Sequence, residues 1–252
     1  MKGVLLKVEG VKKSFGGLKA IRGVDLEVKR GERILIIGPN GSGKSTLINV
    51  ISGVYRPDGG KVFFKEREIT NLPPHEIARL GIIRTFQVPA VFGKLTVLEN
   101  LLVAAKRRFG ETYTSCLFKR RSWMEEEEEL VKKAFELLKL LKIDHLWDKP
   151  ASSLSGGQLK LLEMGKVAMA EAELVLMDEP VAGIHPYLAH NLLNKLVSLE
   201  RERTYVIVEH RLDIILDYVD YVYAMHQGEI IAEGKPFDVL KDARLAEVYL
   251  GA

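Results

Sequence analysis

The stretch Gly38-Pro39-Asn40-Gly41-Ser42-Gly43-Lys44-Ser45 constrains this chain more than any other. It fits the P-loop pattern, in which a glycine-rich turn runs into a lysine and a hydroxyl residue. The pattern needs a strand before it and a helix after it. Ile34-Leu35-Ile36-Ile37 reads as a short buried strand, and Thr46 to Ser52 reads as a helix. The glycines let backbone N–H groups turn inward and cradle phosphate oxygens, and the helix N-terminus adds its dipole. Lys44 is expected to reach the β- and γ-phosphates, and the Ser45 hydroxyl to ligate Mg²⁺. The ligand implied is ATP with Mg²⁺, held by Gly38, Pro39, Asn40, Gly41, Ser42, Gly43, Lys44, Ser45 and Thr46.

Other apolar runs end in polar residues in the same way. Leu174-Val175-Leu176-Met177 stops at Asp178-Glu179, and Tyr205-Val206-Ile207-Val208 stops at Glu209-His210. Ile82-Ile83 leads into Arg84-Thr85-Phe86-Gln87. Such runs alternate with longer helical patterns, which predicts an α/β fold with a mostly parallel sheet. Ligands of open α/β sheets sit at the carboxyl ends of the strands, so these strand ends point to one shared site. Leu5 to Val11, Gly23 to Val28, Lys61 to Phe64 and Tyr221 to Gly234 alternate apolar and polar residues, as antiparallel strands with one solvated face do. About Thr96 to Ala151 the pattern is helical. There Glu125 to Glu129 reads as a helix start with acids at its positive end, followed by an apolar stripe of Leu130, Ala134, Leu137, Leu138 and Leu141.

Asp178 and Glu179 divide the work expected at a phosphate site. The first carboxylate can hold the Mg²⁺ that bridges the phosphates, and the second can deprotonate an attacking water, with His210 or Glu209 as fallback bases. The plainer alternatives are a strand that ends in solvated acids and a helix N-cap before Pro180. In Leu154-Ser155-Gly156-Gly157-Gln158, Ser155 and Gln158 form a capping box opening a helix over Leu159 to Ala170. The same end, with two glycines and a hydroxyl, is an anion site. One nucleotide does not need two phosphate cradles in one chain, so this end is expected to complete a partner's site in a two-fold dimer.

Composition removes several function classes. No apolar run approaches the ~20 residues that cross a bilayer, so a role at a membrane must come through a partner protein. Met1 to Val11 is too charged for a signal peptide. A net charge of +3 does not argue for nucleic acid. The single cysteine, Cys116, allows no internal disulfide and reads as filler in a reducing compartment.

On these motifs, in their order and spacing, the chain resembles the nucleotide-binding subunits of ATP-binding-cassette transporters over essentially its whole length. The resemblance implies a RecA-like P-loop NTPase: one domain over 1–252, with 1–87 and 164–252 as ATP-binding core plus antiparallel β subdomain. Residues 88–163 would be an inserted helical subdomain carrying the signature motif. It implies that Phe15 stacks on adenine, that Gln87 contacts Mg²⁺ or the attacking water, and that His210 lies near the γ-phosphate beside the catalytic Glu179. Ser155, Gly156, Gly157 and Gln158 would contact ATP in trans. The implied partners are transmembrane permease subunits and a second ATPase subunit, with a substrate-binding protein only indirectly involved and no direct nucleic acid. The implied place is the cytoplasmic face of the cell membrane. One departure is His185, which follows Ala182-Gly183-Ile184 where the family usually has aspartate; no catalytic role is assigned to it. Gly81 to Gln87, Leu95 to Leu101 and the ending Val248-Tyr249-Leu250-Gly251 look most like the larger ATPase subunit of branched-chain amino acid importers. Lipopolysaccharide-export ATPases are the related alternative. A DNA-repair or chromosome ATPase would need a long coiled coil between Gln87 and Leu154, and no sustained heptads occur there.

Overall fold

The computed structural model describes residues 3–85, 90–106, 120–187, 189–190, 193–194 and 203–250. Phe86, Gln87 and Cys116 lie outside them. The chain divides into two compact units, Met1–Gln87 with Glu173–Ala252, and Val88–Ala172. The division falls in the loop after the helix that follows Leu154–Gln158, whereas the sequence expectation drew it at 163/164.

The first unit holds two sheets. Strands β1 (Val4–Phe15) and β2 (Leu18–Lys29) form a long antiparallel hairpin. After β3 (Arg33–Ile37) and helix α1 (Lys44–Ile51), strands β4 (Gly59–Phe64) and β5 (Arg67–Glu68) complete a sheet of order β2-β1-β4-β5. Its inner face buries Leu6, Val8, Val24, Leu26, Val28, Val62 and Phe64. The period-two burial along β2 is the alternation read from the sequence, because one face packs and the other meets water.

Helix α2 (Pro74–Leu80) and strand β6 (Ile82–Arg84) lead out of this unit. The chain returns through β7 (Leu174–Asp178) and β8 (Thr204–Val208), both buried along their whole length. Short helix α6 (Leu212–Ile215) precedes β9 (Tyr221–His226) and β10 (Glu229–Gly234); α7 (Pro236–Leu240) and α8 (Ala243–Leu250) follow. The second sheet has the order β10-β9-β3-β8-β7-β6, with every pair parallel except β9 and β10. Reading Tyr221 to Gly234 as a one-side-solvated hairpin is therefore half right. The hairpin forms, but β9 is buried from Val222 to Met225 and runs parallel to β3. Arg33 fixes that pairing: its backbone N–H and guanidinium donate to the Asp220 carboxylate at 3.0, 2.9 and 2.7 Å.

The second unit is helical. Helix α3 (Val97–Ala104) opens on a capping box: Thr96 Oγ1 accepts from the Glu99 amide at 3.1 Å, and Glu99 Oε2 accepts from the Thr96 amide at 2.7 Å. Helix α4 spans Arg120–Leu141 and buries Ala134, Leu137, Leu138 and Leu141. Glu125 to Glu129 do not open it, because the chain is already helical at Arg120. Helix α5 runs Gly156–Met169, starting directly after the Ser155 cap rather than at Leu159. A Cβ at Gly165 would sit 2.8 Å from Leu101 Cδ2 and 3.2 Å from Leu141 Cδ1, so this glycine lets α3, α4 and α5 approach closely.

Asn100, fully buried, stitches the chain ahead of α3. Its Oδ1 accepts from the Phe92 amide at 2.8 Å, and its Nδ2 donates to the carbonyls of Phe92, Leu95 and Thr96 at 3.1, 3.3 and 2.9 Å. Removing one partner of a buried hydrogen bond costs about 1–3 kcal/mol. Asn100→Ala is expected to lower unfolding free energy by about 2 kcal/mol or more, read by urea denaturation, because one side chain serves several backbone groups.

Candidate functional site

The site is built on the carboxyl ends of parallel strands in the first unit. From β3 the chain turns through Gly38, Gly41 and Gly43, whose φ values are 147°, 78° and 104°. Two of these positions also have no room for a side chain: a Cβ at Gly38 would lie 2.1 Å from the Met225 carbonyl oxygen, and one at Gly43 2.6 Å from that of Ala20. Gly43 is the N-cap of α1 and no side chain caps that helix end. Its first amides therefore remain available to an anion.

Lys44 is 5% exposed, and its ammonium donates to the carbonyls of Gly38 and Pro39 at 2.8 and 2.9 Å and to Ser42 Oγ at 3.4 Å. Burial lowers its pKa, against the opposing pull of Glu179 and Asp178. Beside it, Ser45 Oγ donates to Asp178 Oδ1 at 3.4 Å. The other oxygen of Asp178 faces Arg84 Nη2 at 3.4 Å, and Arg84 Nη1 donates to Asn49 and to Ser52 Oγ. Arg84 thus ties β6 and β7 to α1. In the sequence Arg84 is marked only as a cation that closes one apolar strand while acids close another.

At the end of β7, Glu179 adopts a left-handed φ of 51°, uncommon for a residue with a side chain. Its Oε1 lies 3.3 Å from His210 Nε2. Glu209 is not placed to be the alternative base. It is buried, with its oxygens turned to the amides of Val181, His210 and Arg211.

A cleft of about 440 Å³ joins these parts, lined by Phe15, Leu18, Lys19, Ala20 and Arg22, by Asn40, Gly41, Gly43, Lys44, Ser45 and Thr46, and by Glu179, His210 and Gln227. Phe15 is 42% exposed and stands edge-on to Tyr55 at 5.1 Å, which is not a core position. Leu18, Lys19, Ala20 and Arg22 come from β2 and Gln227 from the β9–β10 turn, so no local motif marks them as part of the cleft. His185 is exposed and accepts from the Tyr187 amide through Nδ1 at 3.4 Å, a local turn contact. Gln87 lies outside the described residues. In the second unit, Ser155 Oγ accepts from the Gln158 amide at 3.4 Å and Gln158 Oε1 from the Ser155 amide at 2.8 Å. Ser155 and Gly156 are exposed there, and a Cβ on either Gly156 or Gly157 would meet nothing within 4 Å.

A family model described as "ABC transporter" matches residues 21–182. A probable branched-chain amino acid transport ATP-binding protein LivG of Archaeoglobus fulgidus is 53% identical over 249 residues, 98% of this chain and 96% of that protein. Its namesake in Methanocaldococcus jannaschii is 47% identical over 252 residues, 98% of this chain and 97% of that one. A solved ATP-binding cassette of an ABC transporter in its ADP conformation is similar with a TM-score of 0.82 and 46% identity, covering 99% of this chain and all of that one.

Two glycine substitutions separate backbone strain from steric contact. At Gly41 a Cβ would meet nothing within 4 Å, so Gly41→Ala should cost only the left-handed penalty of about 1–2 kcal/mol. Gly43→Ala adds the contact with the Ala20 carbonyl. Thermal unfolding is expected to rank Gly43→Ala below Gly41→Ala, with the larger loss of nucleotide affinity also at Gly43→Ala.

Proposed function

The chain belongs to the ABC transporter family of ATP-binding cassettes, and from that premise we propose that it is the ATPase subunit of an importer for branched-chain amino acids. The observation that carries the reading is the convergence of Lys44, Glu179 and His210 on one cleft at the ends of parallel strands. The names of the relatives support leucine, isoleucine or valine as cargo over lipopolysaccharide.

In this reading the backbone from Gly38 to Gly43 and the start of α1, through Thr46, bind the phosphates, and Lys44 balances their charge. Phe15, open at the cleft rim, takes the adenine ring. Ser45 and Asp178, and Gln87 as the family resemblance implies, would hold Mg²⁺. The donor set fits that ion: a hydroxyl and a carboxylate, Ser45 Oγ and Asp178 Oδ1, stand 3.4 Å apart, and Mg²⁺ favours one or two carboxylates with phosphate oxygens over an all-protein cage. Bound there, it would neutralise negative charge on the phosphates as the bond to the leaving group breaks. Glu179 takes the proton of the attacking water. His210, facing Glu179, orients that carboxylate and reaches toward the γ-phosphate.

The exposed Ser155–Gln158 end contacts the ATP of a second subunit, so ATP closes a dimer and hydrolysis reopens it. No helix among the described residues is long and apolar enough to cross a membrane. We assign the transport path to permease subunits that this chain serves from the cytoplasmic side.

A positioned general base contributes about 10²–10⁴-fold in rate. Glu179→Gln is expected to slow hydrolysis by about that factor, keep ATP binding, and accumulate an ATP-dependent dimer on gel filtration. Hydrolysis at the wild-type rate would remove Glu179 from the mechanism. The transport reading is tested by purifying the chain with its membrane partners, reconstituting them in vesicles and adding the cognate binding protein. ATP-dependent uptake of labelled leucine, isoleucine or valine is expected; ATP hydrolysis with no uptake of any of the three would overturn the cargo assignment.

A further inference from the structure

Strands β7 and β8 run side by side to the pair Asp178 and Val208, and the Glu179 amide still donates to the Val208 carbonyl at 2.9 Å. Past that rung the two chains part into separate turns. One contains Glu179 and closes with the Ala182 amide on the Glu179 carbonyl at 3.2 Å; the other contains His210 and Arg211. The next link between them is a side chain. Glu209, 2% exposed, accepts from the Val181 amide through Oε1 at 3.0 Å, and from the His210 and Arg211 amides through Oε2 at 2.9 and 3.2 Å.

The turn held in this way is strained. Glu179 sits at φ 51°, and a non-glycine residue persists in that region only where its surroundings over-determine it. The Glu179 and His210 side chains, 3.3 Å apart, bridge the same two turns on the cleft side, and so depend on the turns keeping their spacing.

We propose that Glu209 is a positioning residue for ATP hydrolysis: its buried carboxylate splints the Glu179 turn to the His210 turn and holds both side chains toward the cleft. This rests on the assignment of Glu179 and His210 to hydrolysis. A carboxylate suits the task because both of its oxygens only accept hydrogen bonds. A glutamine of the same size has one acceptor end and one donor end. Whichever way it is turned, one of the two loops faces an NH₂ group with an N–H of its own. The splint is then broken on one side at unchanged volume.

The test is Glu209→Gln in the full chain, beside Glu179→Gln. Displacements near 1 Å in a catalytic group cost up to ~10²-fold, so kcat is expected to fall by roughly 10- to 100-fold in Glu209→Gln. KM for ATP and the affinity for a non-hydrolysable analogue should stay at wild-type values, because the P-loop makes no hydrogen bond to Glu209. Amide hydrogen exchange should rise locally, at Val181 or at His210 and Arg211, and not through β7 and β8. Should the Gln variant fail to fold, Glu209→Asp keeps the charge but is one methylene short, and the same split between kcat and KM is expected of it. Wild-type kcat in Glu209→Gln with Glu179→Gln inactive would overturn the splint alone. A fall in kcat accompanied by lost ATP affinity and faster exchange throughout the sheet would also overturn it, since Glu209 would then only support the fold. Wild-type turnover in Glu179→Gln would remove the reading on which the splint rests.

Discussion

A buried ammonium imposes its own surroundings. Taking a lysine out of water costs several kcal/mol unless its donors are met, and Lys44 is nearly inaccessible. Its three donors find the Gly38 and Pro39 carbonyls and the Ser42 hydroxyl, all on the loop that precedes it. A peptide whose carbonyl turns toward the lysine points its N–H the other way, so the peptide joining Pro39 to Asn40 offers its donor away from Nζ. The loop can wind like this only through left-handed backbone, which accounts for the glycines at 38, 41 and 43. The tight packing of Gly38 against Met225 and of Gly43 against Ala20 ties that shape to β9 and β2.

The parallel sheet supplies the rest. Strands β3, β7 and β8 are neighbours and end at the same edge, so the loop, the two carboxylates and the imidazole arrive together without any long-range coincidence. The strand ends alone leave their side chains free to wander. Buried polar contacts beyond the strands take up that freedom: Arg84 ties Asp178 to α1, and Glu209 ties the Glu179 turn to the His210 turn. Charge therefore has a structural role in the layer just behind Asp178, Glu179 and His210.

What the sequence revealed about this site follows a physical division. The P-loop, the Asp178-Glu179 strand end, the His210 strand end and the Ser155–Gln158 cap were legible because each is a local pattern with a local cause. The glycine positions, the apolar strands and the capping box all act within a few residues. Arg84 and the splint role of Glu209 were not legible, because their meaning lies in partners on other elements, such as Asn49 and Val181. The same limit explains the acidic run. Five glutamates in a row read as a helix start on dipole grounds, yet α4 is already formed at Arg120, and dipole placement worth a fraction of a kcal/mol does not by itself set a helix boundary. Strand β9 differs from its expected one-sided burial for a related reason: its alternation is weak, and only burial on both faces discloses a parallel neighbour.

The two helix ends proposed to face ATP are built differently, and the difference suits their tasks. The N-terminus of α1 has no side-chain cap, and the P-loop around it is held by the buried lysine. Water or a ligand anion must meet the first amides of such an end, and the cleft leaves it open to a phosphate in the place of the missing cap. The N-terminus of α5 carries a complete capping box and is exposed. Its amides at Ser155 and Gln158 are already satisfied from within, so the helix is stable whether or not a nucleotide is near. Two open glycines follow the cap, where a phosphate can approach the backbone without displacing any side chain. An end of that kind can bind a partner's nucleotide and release it each cycle without unfolding its first turn, whereas the α1 end is made to hold.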